Sequence, residues 1–155
     1  MADIAHHSVS VAGIVVDQNN AILAIQRRDN LHWEPPGGVL EINETPQDGV
    51  RREILEETGI TVDVGDLSGV YKNMNIGVIA LVFKCTAMSG QLIVSNETRQ
   101  AQWIPLSEAE RLMNPSYFIR VSDAFLSETP VRSHDGQQLL TNTSARHYNS
   151  RPREK

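Results

Sequence analysis

The 155 residues carry 14 Lys and Arg against 19 Asp and Glu, a formal net charge of −5, with 40% hydrophobic and 21% charged residues. That length suits one hydrophobic core, and the composition excludes a disordered acidic chain, a coiled coil and a fibrous repeat. Mild acidity argues against a nucleic acid polymer as partner, which would call for a basic face, and leaves small anionic substrates open.

No apolar run approaches the roughly 18 to 20 residues that span a bilayer. The start, MADIAHHSVS, lacks the basic and apolar regions of a signal peptide. The expectation is a cytoplasmic protein with no membrane partner; a homodimer is left open. The one cysteine, Cys85, lies in the apolar run VIALVFKCTAM, where a small buried thiol packs a core.

In chain order, Ser8 to Val16 and Ala21 to Arg27 are rich in β-formers, and the intervening Asn19-Asn20 suits a tight hairpin, so these two strands are expected to pair. His32 to Gly38, HWEPPGG, is expected to be a loop: its prolines oppose a regular ladder and its glycines allow close backbone approach. At Thr45 the pattern changes period. Thr45 is a candidate N-cap, Pro46 fits the first turn, Asp48 suits a helix start, and Gly59 is a natural stop. Val50, Ile54 and Leu55 supply the apolar stripe of this helix, while Glu53, Glu56 and Glu57 are expected to share one side of it.

Farther on, ITVDV, LSGVYKNM and IGVIALVFKCTAM are expected strands, with Gly69 and Gly77 as bulges or bends, and Arg99 to Ile104 is another. Ser107 and Glu110 form the pattern of a capping box, a second helix is expected over Tyr117 to Leu126, and Asp135-Gly136 signals a hairpin. The fold class is therefore α+β with a mixed sheet, one domain over residues 1–140, followed at 141–155 by a polar, basic tail expected to be loosely held.

The charge is uneven. From Glu41 to Glu57 there are six acids (Glu41, Glu44, Asp48, Glu53, Glu56, Glu57) and two bases (Arg51, Arg52), so 2 − 6 gives a local net of −4. Carboxylates so crowded, if they face one pocket, persist only when a cation or a paired arginine offsets them. Mg²⁺ takes oxygen ligands and keeps several waters, so a few carboxylates can hold it and still leave room for phosphate. Arg52, set among the acids, can grip a carboxylate with both prongs of its guanidinium and fix its orientation.

Written out, the segment Gly38 to Ile60 satisfies every fixed position of GX5EX7REUXEEXGU, where U is a bulky aliphatic residue: Gly38, Glu44, Arg52, Glu53, Ile54, Glu56, Glu57, Gly59 and Ile60. In this the chain resembles the Nudix hydrolases, MutT-like enzymes. The resemblance implies an α/β/α sandwich around a mixed sheet and the Mg²⁺- or Mn²⁺-dependent hydrolysis of a nucleoside diphosphate linked to another group X. It also implies metal ligation by Gly38, Glu53, Glu56 and Glu57, with Glu53 or the later Glu97 as base or ligand and Arg52 as organiser. Arg27 and Arg28 are candidates for substrate phosphate, of which strand alternation would let only one face the site. Trp33 could stack on a base, although packing in the loop suits it better. The five histidines show no metal spacing.

The group X is open. A proline that commonly follows the box in the ADP-ribose-cleaving branch is replaced by Asn75 and Ile76, and the tyrosine of the dinucleoside polyphosphate branch by Gly77 and Val78. A small nucleotide, such as a nucleoside triphosphate or ADP-ribose, is the expected partner. The alternative is a catalytically silent Nudix-like nucleotide-binding or regulatory module; such modules often lack a box glutamate, and this chain keeps them all.

Overall fold

The computed structural model describes residues 3–141. Strands β1 (Ser8–Val15) and β2 (Ala21–Arg27) are joined by a turn in which Asp17 Oδ1 accepts from the amides of Asn19 and Ala21, and Asn20 takes a φ of 59°. The expected turn is there, but the expected strand pair is not. A single bridge, Val16 to Ile22, joins the two strands before they part into different sheets. The cause is burial on both faces. Val11 and Val15 pack to one side of β1 and Ala12 and Ile14 to the other, so β1 is an interior strand that needs a neighbour at each edge.

Those neighbours are β4 (Gly37–Val39), antiparallel, and β6 (Val78–Gly90), parallel, with Val11 opposite both Gly38 and Leu81. β6 pairs antiparallel with β5 (Ile60–Asn73), and β5 runs parallel to β8 (Val131–His134), which closes a hairpin with β9 (Leu139–Leu140). The mixed sheet therefore has the order β4-β1-β6-β5-β8-β9. A second sheet of order β3-β2-β7 contains β3 (Trp33–Glu34) and β7 (Thr98–Pro105), both antiparallel to β2.

Several elements differ from the sequence expectation. The HWEPPGG segment is not all loop: the prolines interrupt only Pro35-Pro36, and the residues on either side of them pair as β3 and β4. ITVDV and LSGVYKNM form one continuous strand, because register shifts around Val64, Leu67 and Gly69 absorb the irregular residues without ending the ladder. Gly77, at φ 65°, closes a turn in which its amide reaches Asn73 O.

Helix α1 (Pro46–Thr58) begins and ends as expected: Thr45 Oγ1 accepts from the Asp48 amide, and Gly59 at φ 79° donates to Leu55 O. In α2 (Leu106–Leu112) the expected capping box is absent. β7 runs to Pro105 and the helix starts immediately after it, so Ser107 already lies inside the first turn, where it cannot cap. α3 (Pro115–Asp123) starts earlier than expected, because Asn114 Oδ1 accepts from the Tyr117 amide and Pro115 fits the first turn.

Two cores lie on opposite faces of the mixed sheet. One contains Val50 and Ile54 of α1 with Val11, Val15, Leu23, Val62, Phe83 and Cys85. The other contains Ala109, Met113 and Val121 of α2 and α3 with Ala12, Ile14, Ile22, Tyr71 and Val82. This is an α/β/α arrangement, and it fixes α1 against β1, β4 and β5 with its acidic residues beside the glycines of β4. Cys85 packs in the first core, where burial pushes its thiol up to about 12. Except for Thr141, the expected C-terminal tail lies outside the described residues. Among the described residues no helix is long and apolar enough to cross a membrane.

Candidate active site

A cavity of about 590 Å³ opens between α1, β4, the end of β2 and the segment before β7. Its walls include Glu53 and Glu57 from the helix, Gly37 and Gly38 from β4, Arg27, Arg28 and Asp29 from the end of β2, and Asn96 and Glu97 from the segment opposite. That volume falls within the roughly 300 to 1,000 Å³ typical of small-molecule sites.

The helix fixes its two inner glutamates through their spacing, since residues four apart stand one turn above each other. Glu57 is 6% exposed, and its Oε1 accepts from the Gly37 amide at 2.8 Å. The Glu53 carboxyl lies directly over the bare Cα of Gly38, where an added Cβ would come within 2.6 Å of it. The expectation that all three glutamates share one side holds only in part. Glu56 is turned about 100° per residue away from Glu57; its side chain is 60% exposed, and it flanks a shallower depression together with Glu57, Ser95, Asn96 and Glu97.

Arg52 joins the acids together. Its Nε and Nη2 donate to both carboxylate oxygens of Glu44 at 2.9 and 2.6 Å, Nη1 donates to Glu53 at 2.8 Å and Glu56 at 3.3 Å, and Nη2 also reaches Val39 O at 3.2 Å. Glu44 is thereby held down to about 2. The two-pronged grip expected of Arg52 falls on Glu44, eight residues away and ahead of the helix.

Burial pushes Glu57 up to about 9, reinforced by the neighbouring Glu53 charge, and burial likewise raises Glu53 against the lowering effect of Arg52. At that value Glu57 keeps its proton at neutral pH unless positive charge arrives beside it. Among the described residues no three His, Cys, Asp or Glu side chains form a ready-made cage for an ion. The donors nonetheless fit a hard divalent cation: carboxylate oxygens approach from two sides, and Mg²⁺ completes its shell with water and substrate oxygens.

Both Arg27 and Arg28 line the cavity, although strand alternation would have admitted one. A bulge explains this. Gln26 lies opposite Gln100, but Arg27 lies opposite Thr98, so the ladder slips by one residue and strand geometry ends there. Arg27 donates to both oxygens of Asp29 at 2.9 and 2.7 Å and stands 3.6 Å from the buried Glu34. Trp33 is not among the cavity residues; it packs against the core formed with α2 and α3. Sequence reasoning missed Asn96, Asp29, the Gly37 amide and Glu34. Only the SNET turn hinted at Asn96, and nothing local marked Glu34, which is buried beside Tyr117 and Arg120.

Residues 6–123 match the family model of the NUDIX domain. The chain belongs to the Nudix family, and it is a hydrolase acting on phosphoric anhydride bonds. A MutT-like protein of Streptomyces ambofaciens is 50% identical over 135 residues, covering 86% of this chain and 88% of its own length. An ADP-ribose pyrophosphatase of Methanocaldococcus jannaschii is 34% identical over 114 residues, 69% of this chain and 67% of its own. Among solved structures, a Nudix hydrolase from Nitrosomonas europaea superimposes with a TM-score of 0.73 at 19% identity, covering 85% of this chain and 82% of its own. An ADP-ribose pyrophosphatase from Streptococcus suis gives 0.70 at 18% identity, covering 81% and 99%. At these identities the structural likeness speaks for the fold.

Proposed function

We propose that this chain hydrolyses the pyrophosphate bond of a nucleoside diphosphate linked to another group, with a divalent cation, Mg²⁺ or Mn²⁺, as cofactor. The observation that carries this reading is the two-sided arrangement of acids: Glu53 and Glu57 on α1 and Glu97 opposite them face one cavity that also holds Arg27 and Arg28. Glu53, Glu56, Glu57 and the Gly38 backbone would hold the cation. When bound, the cation supplies charge neutralisation on the pyrophosphate oxygens and makes water more acidic.

The chain's own residues do the rest. Arg27, braced by Asp29, offers positive charge to the departing phosphate. Arg52 holds Glu53 in one orientation through Nη1, with Glu44 anchoring its other end. Water attacks one phosphorus, its proton passes to a carboxylate, and the P–O bond to the leaving phosphate breaks. Glu97 suits the role of base, since it faces the cavity from the wall opposite the helix, and Glu53 suits that of ligand and organiser.

The substrate class is a small nucleotide. Two candidates have to be told apart: ADP-ribose, which the Methanocaldococcus relative's name specifies, and a nucleoside triphosphate, in line with the Bacillus subtilis relative named a putative 8-oxo-dGTP diphosphatase, 28% identical over 111 residues. Incubation of the protein with nucleoside triphosphates, dinucleoside polyphosphates, nucleotide sugars and ADP-ribose in Mg²⁺ or Mn²⁺, scored by released product, tests the proposal. Turnover of at least one substrate is expected. Survival of them all with either metal would overturn it in favour of a silent nucleotide-binding module.

A further inference from the structure

The two arginines at the end of β2 do different things. Arg27 stays on its own side of the cavity, its guanidinium braced by Asp29 with Glu34 3.6 Å away. Arg28 reaches out of the sheet: its Nε donates to Ser95 O at 2.8 Å and its amide donates to Glu97 O at 3.0 Å, so both of its bonds bracket the segment that carries Glu97. We propose that Arg28 is a positioning residue whose Nε ties the 95–97 segment to the end of β2 and so holds the Glu97 carboxylate across the cavity from Glu53 and Glu57. The proposal rests on the reading of Glu97 as a participant in the reaction.

The segment needs such a tie. Residues 91–96 have no regular structure and are largely exposed, so few packed side chains fix them. Inside the turn, Ser95 Oγ accepts from the amides of Glu97 and Thr98, and the Ser95 amide donates to Thr98 O. These bonds shape the turn but do not fasten it to the rest of the molecule. Fastening comes from the Ile93 amide to Thr58 O, which secures the segment to the end of α1, and from Arg28, which secures it to β2. The first bond lies on the side of the metal-binding helix; on the other side the β2–β7 ladder ends with Thr98 opposite Arg27, and the Arg28 Nε bond carries that hold back to Ser95, across Glu97. The bulge at Gln26/Arg27 is what turns Arg28 toward the segment. A misplacement of about 1 Å in a reacting group can cost about 100-fold in rate.

Positional and charge roles can be separated chemically. Glutamine carries its amide nitrogen as many bonds from Cα as arginine carries Nε, so Arg28→Gln keeps a donor at the tie and removes the charge. Arg28→Met removes both, and Arg28→Lys keeps the charge but displaces the donor. The proposal expects Arg28→Met to lower kcat about tenfold or more with little change in KM, Arg28→Lys to follow it, and Arg28→Gln to stay near wild type. Amide exchange at residues 95–98, measured without substrate or metal, should quicken in Arg28→Met and not in Arg28→Gln. In the double variant with Glu97→Gln, the loss from Arg28→Met should disappear, since both act through one carboxylate. Losses in KM that are equal for Gln and Met and spared by Lys would overturn the proposal in favour of a phosphate-binding charge, and unchanged exchange in all variants would overturn it as well. Full activity of Arg28→Met alongside a crippled Glu97→Gln sinks this proposal alone, whereas full activity of Glu97→Gln removes Glu97 from the mechanism and the positioning role with it.

Discussion

Arg52 donates to Glu44, Glu53, Glu56 and Val39 O at once, an arrangement only a planar, forked cation can satisfy. Arg52→Lys keeps the charge and loses the fork, so turnover is expected to fall about tenfold or more while metal affinity changes little. Glu44→Gln should reproduce that pattern because it releases the anchored end. Steady-state kinetics beside a metal titration checks both; equal loss of turnover and metal affinity would mean that Arg52 builds the metal site itself. At the same scale, His134 is 4% exposed, its Nδ1 accepts from the Gly136 amide, and burial and the Arg120 charge lower it to about 4. Its folded pKa lies below the unfolded value of about 6.5. The stability it contributes is therefore fully present above about pH 6.5 and is lost as pH falls toward about 4. His134→Asn, which keeps an acceptor near Nδ1, should flatten the decline in melting temperature between those pH values. An unchanged acid limb would assign the decline to other groups.

At the scale of elements, β4 is three residues long, yet it positions both inner glutamates. Gly37 and Gly38 differ in what surrounds them. A Cβ on Gly38 meets the end of the Glu53 side chain, which can swing aside, whereas a Cβ on Gly37 overlaps Val11 O and the Ala12 backbone, which cannot. Gly38→Ala should therefore fold nearly as well as wild type and lose turnover, with Glu53 displaced. Gly37→Ala should lose stability by more than about 1 kcal/mol. Chemical denaturation and kinetics on both variants test the contrast, and equal destabilisation of the two would refute it. The legibility of elements followed their range. Thr45, Pro46 and Gly59 marked both ends of α1 because caps depend on groups within four residues. The β1–β2 hairpin and the Ser107 cap were misread because each was settled by distant partners, β6 and β4 in one case and the continuation of β7 through Pro105 in the other.

Across the whole molecule, the cavity collects acids from a helix and from a segment some forty residues later. A cation that binds this folded arrangement and not the unfolded chain stabilises by mass action, about 2.7 kcal/mol at a free concentration 100 times its Kd. Millimolar Mg²⁺ or Mn²⁺ should raise the melting temperature of the wild type, and Glu57→Gln should remove most of that gain while Glu44→Gln keeps more of it. A scan with no shift in the wild type would speak against the site.

Sequence by itself determined the chemistry of α1. The spacing of Glu53, Glu56 and Glu57, their arginine, and the Thr45 and Gly59 caps follow from helical periodicity and capping, which act over a few residues and leave a pattern in one dimension. Tertiary structure decided what that helix faces. Arg28 and Ser95 are 67 residues apart, and Gly37 and Glu57 are 20 apart. Whether such groups meet depends on which strand edges pair and where a bulge shifts the register by one residue, and those outcomes come from burying both faces of β1 and β2 at once. No local preference encodes that choice, so Glu97 could be nominated as a site residue from sequence, while the bond from Arg28 to the segment that carries it became visible only in three dimensions.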